Sequence, residues 1–416
     1  MPDRDVVLAK AAAIQRCLRR IEEVTGLKPA SLADQDTQDI FVLNLQRAIQ
    51  SAIDLASHII AALQRNPFVE FAEPNYLVRP YFEPDDPLWV EQSYLANIQL
   101  PQAWDVITGT ADVIIADVGS GLDTRHPDLA GQLWVNAGEV PGNGLDDDGN
   151  GYIDDVHGWN VLDDNADLSD STGHSTMVAG IIVAAPNNQV GVVGVCWGCR
   201  LMVVKVTQAD GLARYSDIAA GVAYAAQNGA DVINISLRGK NDSATLRWAI
   251  AAASKTAVVV SSAGNDGDDA PVYPAAYDTT LAVTGTNSDD TKPDGANHGT
   301  WVDVSAPGHN ILTTFVGGGY QCQSGTSLAT PFVSGLAGLL RSQHPEWSPD
   351  TVRAQIVHTA DDIDDLNPGH EGQLGSGRIN AARAVTATGP LLDWEGDGMG
   401  ERSGTGHCQE VRLGQR

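Results

Sequence analysis

Short apolar runs separated by helix-length stretches constrain this chain more than any other feature. From about Trp89 onward, residues 113–118 (VIIADV), 198–206 (GCRLMVVKV), 231–237 (DVINISL), 257–264 (AVVVSSAG) and 281–285 (LAVTG) are strand-like. Between them lie helical patterns such as YSDIAAGVAYAAQNG and DSATLRWAIAAASKT. This repetition predicts an α/β fold, a parallel sheet covered by helices on both faces.

The rest of the 416 residues divides around that region. Residues 6–24 and 38–64 have apolar positions at three- and four-residue spacing and read as amphipathic helices, with Pro29 in the break between them. The expected organisation is a small helical segment (1–64), a β-rich stretch and turn-prone linker (65–87), a large α/β domain (88–390) and a Gly-rich, polar, disordered tail (391–416).

A formal net charge of −28 argues against phosphate backbones and anionic lipids as partners, so neither nucleic acid nor membrane is expected. No apolar run approaches the roughly 18–20 residues that cross a bilayer, and the N-terminal residues lack the apolar core of a secretory signal. Much of the acid sits in short Asp-rich loops, which either hold cations or merely keep the surface solvated. Five cysteines do not make a disulfide framework in a chain this long. Cys196 and Cys199 form a CxxC without a second pair or a His cluster, which reads as a structural pair, bridged or free.

Three segments carry chemistry. GTSLATPFVSGLAGLL puts Ser327 at the start of an apolar helix, where backbone N–H groups and the helix dipole favour developing negative charge; an N-cap serine would look the same. GHSTMVAGII puts His174 at the start of another. AVVVSSAGNDG ends an apolar run with Asn265 on a Gly-flanked turn, where its amide is available to an oxyanion.

Together, and in the order His, Asn, Ser along the chain, these segments resemble the subtilisin-like (subtilase) serine peptidases, whose His and Ser blocks read approximately HGTHVAG and GTSMATPHVAG. The likeness runs from about residue 89 to 385 and includes HPDL (126–129), YPAAY (273–277) and VDVSAPG (302–308). The resemblance implies that Ser327 is the nucleophile, His174 the general base and Asn265 an oxyanion donor. It implies a substrate edge at Ser236, Leu237, Arg238 and Gly239, with Gly264 opposite, binding protein or peptide substrates by strand addition. It further implies a secreted monomer. Arg238 stands where the family has a second glycine, which suggests an altered preference, toward acidic side chains.

The match breaks at the third triad member. The family places an Asp seven residues before the His of HPDL, and here that position is Gly119. Asp117 is the nearest upstream acid and would lie on the same face of the strand, about 6–7 Å away along it. Three readings stand: Asp117 substitutes after local rearrangement, a His–Ser pair works weakly, or the domain is a peptide-binding pseudoprotease. Ser175 and Met177 replace a Gly and a His beside His174, which reads as a milder departure.

NGLDDDGNGYIDDVHGW has the D-x-D-x-N-G-x-I-D spacing of a calcium loop, with Asp146, Asp148, Asn150, Tyr152 and Asp154 as candidate ligands. His157 occupies the place of the usual bidentate Glu, and Asp155 is the substitute. Gln92 is a weaker candidate for a second ion by resemblance to the family. Residues 69–80 resemble the last strand of a subtilase propeptide, and residues 1–62 resemble the first helices of HepT-like, HEPN-type toxin proteins without their Arg and His motif.

Overall fold

The computed structural model describes residues 4–26, 28, 35–65 and 83–387. The propeptide-like stretch and the tail lie outside the described residues. The chain divides into two units, 1–81 and 82–416.

In the first unit, α1 (Arg4–Thr25) and α2 (Gln35–Gln64) pack on each other, burying Ile21 and Ala48 and pairing Lys10 with Asp54. Both helices lie where the apolar periodicity puts them.

The second unit opens with two short helices, α3 (Ser93–Asn97) and α4 (Leu100–Trp104), before strand β1 (Ile114–Gly119). Then follow β2 (Gly158–Asn160), α5 (His174–Val183), β3 (Arg200–Lys205), α6 (Tyr215–Gln227), β4 (Val232–Ile235) and α7 (Ala244–Ala253). The order continues with β5 (Val258–Ser262), β6 (Leu281–Thr286), β7 (Val304–Pro307), β8 (Ile311–Phe315), β9 (Gly319–Gln323), α8 (Thr326–Gln343), α9 (Pro349–His358) and α10 (Ala381–Thr386). Seven strands form one sheet in the order β2-β3-β1-β4-β5-β6-β7, every pair parallel; β8 and β9 make a separate hairpin.

Because side chains alternate along a strand, each central strand feeds two cores. Ile115, Leu201, Val203, Val232, Val258 and Val260 join the core that holds α5 and α8. Ala116, Met202, Val204, Ile233 and Val259 join the core under α6 and α7. The register β1–β4, with Asp117 beside Asn234, sets Asp117 and Gly119 at the carboxyl end of the sheet on the α5 and α8 side. Ligand sites of open α/β sheets form at that end. Cys196 and Cys199 are disulfide-bonded and buried in the α5 and α8 core.

Candidate active site

His174 and Ser327 open the two helices that share this core. Every residue of α5 after His174 is buried, and from Thr326 to Leu340 in α8 only Ser327 is not. A helix apolar all round is held inside the protein, so a polar side chain left half-exposed at its N-terminus stands out. The free N–H groups of that terminus favour negative charge beside Ser327.

Asn265 completes a pocket for such charge. Its Oδ1 accepts hydrogen bonds from the Thr326 N–H at 2.9 Å and the Thr326 hydroxyl at 3.1 Å. The Thr326 hydroxyl also accepts from the Gly264 N–H at 2.9 Å. With its oxygen anchored, Asn265 has its Nδ2 to donate. Both Asn265 Nδ2 and Ser327 Oγ lie 3.4 Å from where a Cβ on Gly325 would stand, so only a glycine leaves the space between the two open. A cavity of about 510 Å³ adjoins Asn265 and Thr326, lined also by Lys292, Asp294, His309 and Ser324. Nothing in the sequence marked those last four residues.

Gly119 and Asp117 are each held by close neighbours. A Cβ on Gly119 would fall on the Ser175 hydroxyl, so Ser175 fills the volume a larger residue at 119 would need. The Ser175 hydroxyl accepts from the Ser120 N–H at 2.8 Å, and the Ser120 hydroxyl accepts from the Ser175 N–H at 2.9 Å. This reciprocal pair locks β1 to the start of α5. Ser175 is therefore a structural partner of Gly119, a larger role than its mild departure from the family block suggested.

Asp117 lies just beneath, with Oδ2 3.1 Å from that same Cβ position and Oδ1 accepting from Asn234 Nδ2 at 2.8 Å. Asn234 in turn accepts from the Ser334 hydroxyl at 2.8 Å, which ties the carboxylate to α8. Burial pushes the Asp117 carboxyl up to about 6, against the hydrogen bonds from Ser175 and Asn234.

Among the described residues no carboxylate is hydrogen-bonded to the His174 ring. The charge that acts on it is Asp170, through space. Burial lowers the His174 imidazole below its ordinary value and Asp170 opposes this. Burial works to raise Asp170 itself, but hydrogen bonds from Thr176, Gly173 and Ser120 outweigh it and keep the carboxylate ionised. Sequence reasoning missed Asp170, although it stands four residues before His174.

On the other side of Ser327, the Ser236 hydroxyl donates to the Ser327 carbonyl at 3.0 Å. Gly239 exchanges both backbone hydrogen bonds with Tyr273, at 2.9 and 2.8 Å. Of the four residues of the expected substrate edge, Gly239 thus has its backbone committed internally. The Arg238 side chain runs across Gly264 and pairs with Asp266 at 2.7 Å.

The acidic loop does not gather its five sequence candidates. Asp146 accepts from the Gly149, Asn150 and Gly151 N–H groups, and Asp154 from those of Asn143 and Gly144. Tyr152 packs on Trp159 and Tyr224. Asp148 instead converges with Glu139 and Asp155, one oxygen of each lying within 4.8 Å of the others. Asn150 and Asn136 donate to both Asp148 and Asp155. His157 bonds the Trp134 carbonyl, and Gln92 is spent on Val193 in both directions.

Comparison with known proteins agrees with this geometry. The subtilase family model matches residues 110–377. A thermophilic serine proteinase of Bacillus sp. (strain AK1) is 37% identical over 330 residues, covering 79% of this chain and 75% of its own. Thermitase of Thermoactinomyces vulgaris is 37% identical over 306 residues, covering 73% of this chain and 99% of its own. A solved structure of proteases from Pseudoalteromonas arctica superposes with a TM-score of 0.62 at 27% identity, covering 73% of this chain and 98% of its own. The resemblance of residues 1–62 to HepT-like proteins finds no support among these matches. The chain belongs to the subtilase family, the serine endopeptidases its motifs resemble.

Proposed function

We propose that this protein is a serine endopeptidase that hydrolyses peptide bonds through an acyl-enzyme on Ser327, at a rate reduced by the absence of a carboxylate on His174. The observation that carries the reading is the shared position of Asn265 Nδ2 and Ser327 Oγ around the open face of Gly325. Ser327 Oγ attacks the scissile carbonyl while His174 takes its proton, and the oxyanion is held by Asn265 Nδ2–H and the Ser327 N–H. Collapse breaks the C–N bond, with His174 returning the proton to the departing amine; water then releases the acyl group by the same steps in reverse. In subtilisins the triad Asp fixes the imidazole tautomer and stabilises the imidazolium, and its loss costs about 10⁴ in kcat. Here Asp170 supplies field without a hydrogen bond, so the imidazolium is partly stabilised but not oriented.

The substrates are proteins or peptides bound in extended form along Ser236–Arg238, and the enzyme works as a secreted monomer. The Cys196–Cys199 disulfide supports an oxidising compartment. No described helix is long and apolar enough to cross a membrane.

A calcium ion fits the cluster of Glu139, Asp148 and Asp155. Hard carboxylate oxygens are the donor set that calcium takes, and no Lys or Arg forms an ion pair with these three among the described residues. The ion would neutralise their repulsion and brace the loop; it takes no part in hydrolysis.

The second reading, a peptide-binding pseudoprotease, rests on the His174 ring lacking a carboxylate partner. A fluorophosphonate probe with mass mapping separates the two. Labelling confined to Ser327 and abolished by His174→Ala supports the peptidase, whereas an unreactive Ser327 supports the pseudoprotease.

A further inference from the structure

On the substrate edge that membership of the subtilase family implies, Ser236–Gly239 with Gly264 opposite, the residue whose carbonyl oxygen meets Asn265 has its side chain in the gap between the two. Two side chains control this gap. A Cβ on Gly264 would stand 2.5 Å from Arg238 Cδ, 2.9 Å from Arg238 Nε and 2.8 Å from Asn297 Nδ2. Arg238 and Asn297 therefore flank one point, next in sequence to the oxyanion donor.

Both have donors to spare. Asn297 is fully buried, its Oδ1 accepts from the Asp266 and Asp268 N–H groups, and its Nδ2 has no partner. A buried amide N–H left unmade is costly and marks a place for an acceptor. Arg238 gives one N–H to Asp266 and makes no other hydrogen bond among the described residues, out of five donors.

Charge points the same way. Asp266 is held by Arg238 at 2.7 Å and Lys240 at 3.2 Å, two cations to one carboxylate. Asp266 is thus neutralised at this lip of the groove, which leaves Arg238 its remaining donors in a chain of net charge −28. The long Arg238 side chain also takes the room that a large apolar side chain would need.

We propose that the subsite for the residue preceding the scissile bond selects a carboxylate side chain, Glu or Asp, recognised by Arg238 with Asn297 as a second donor. This rests on Ser327 being the reactive nucleophile, and the test separates the two ideas.

Peptidyl diphenyl phosphonates, identical except for Glu, Gln, Ala, Leu or Phe at that position, react by forming a bond from Ser327 Oγ to phosphorus. Phenoxide departs and the serine proton passes to His174. We expect the Glu compound to label Ser327 about tenfold or more faster than Leu or Phe, the scale of one charge-assisted hydrogen bond, with the margin shrinking at high salt. Arg238→Gln should bring Glu and Gln to parity, and Arg238→Gly should let Phe overtake Glu. Should either variant fail to fold, the profile of the unmodified protein decides alone. Equal rates, or faster labelling by Leu or Phe, overturn the proposal. No labelling by any phosphonate or by a small fluorophosphonate overturns the peptidase reading instead.

Discussion

The Ser175 hydroxyl occupies the place of a Cβ on Gly119, so these two residues exchange bulk between β1 and α5. Restoring an aspartate at 119 alone must therefore displace Ser175 and break its paired bonds with Ser120. Overpacking of this kind costs about 1–3 kcal/mol. Thermal unfolding should show Gly119→Asp less stable than the parent, and Gly119→Asp with Ser175→Gly recovering most of the loss.

Asp117 makes stability depend on pH in an unusual direction. Its carboxyl is raised from 3.8 to about 6 in the fold, so between those values the folded state holds a proton the unfolded chain has released. Stability falls as pH rises through that window, and the deficit persists above it. The side-chain amide introduced by Asp117→Asn can still accept from Asn234 and carries no charge. This variant should thus unfold at a higher temperature than the parent at pH 8, by up to ~3 kcal/mol in stability, and show no such gain at pH 3. An equal effect at both pH values would mean that the buried charge is not the cause.

Under the proposed mechanism, His174 sets the acid limb of the pH–rate profile. Its imidazole sits below the ordinary value because burial outweighs the pull of Asp170. The neutral base then predominates at neutrality, and kcat/KM should fall only on the acid side, at a lower pH than an ordinary imidazole would give. Asp170→Asn removes the charge that favours the imidazolium, and should move the limb to still lower pH. A limb that moves upward instead would show that Asp170 does not act on His174 through charge.

Calcium should stabilise the protein through Glu139, Asp148 and Asp155. At a free concentration one hundred times its Kd, one ion adds about 2.7 kcal/mol. Chelation should lower the unfolding temperature of the parent and leave Asp148→Ala unchanged, while Asp146→Ala should keep the response. If Asp146→Ala also loses it, the sequence spacing described the ligand set better than the cluster does.

How much of this was legible in the sequence varied with the range of the interaction. Residues 113–118 and 231–237 announced β1 and β4 because strands buried on both faces are mostly apolar, here interrupted only by the paired Asp117 and Asn234. His174 and Ser327 were legible because local patterns put a polar residue at the head of an apolar helix. Ser175 was not, since its role comes from facing Gly119 across two elements. The carboxylate cluster departs from the calcium pattern for a local reason: Asp146 accepts from the N–H groups of its own turn, while Glu139 enters from before the motif.

The central claim is a Ser327 peptidase running without a carboxylate on its histidine. Hydrolysis of a fluorogenic peptide set with calcium present, by the parent, Ser327→Ala and the Gly119→Asp, Ser175→Gly pair, tests it most directly. The account predicts slow turnover by the parent, none by Ser327→Ala, and an increase of roughly 10³ or more in the double variant. Parent turnover already in the ordinary range of ~1–10³ s⁻¹, unchanged by the double substitution, would contradict it, as would parent turnover no faster than Ser327→Ala.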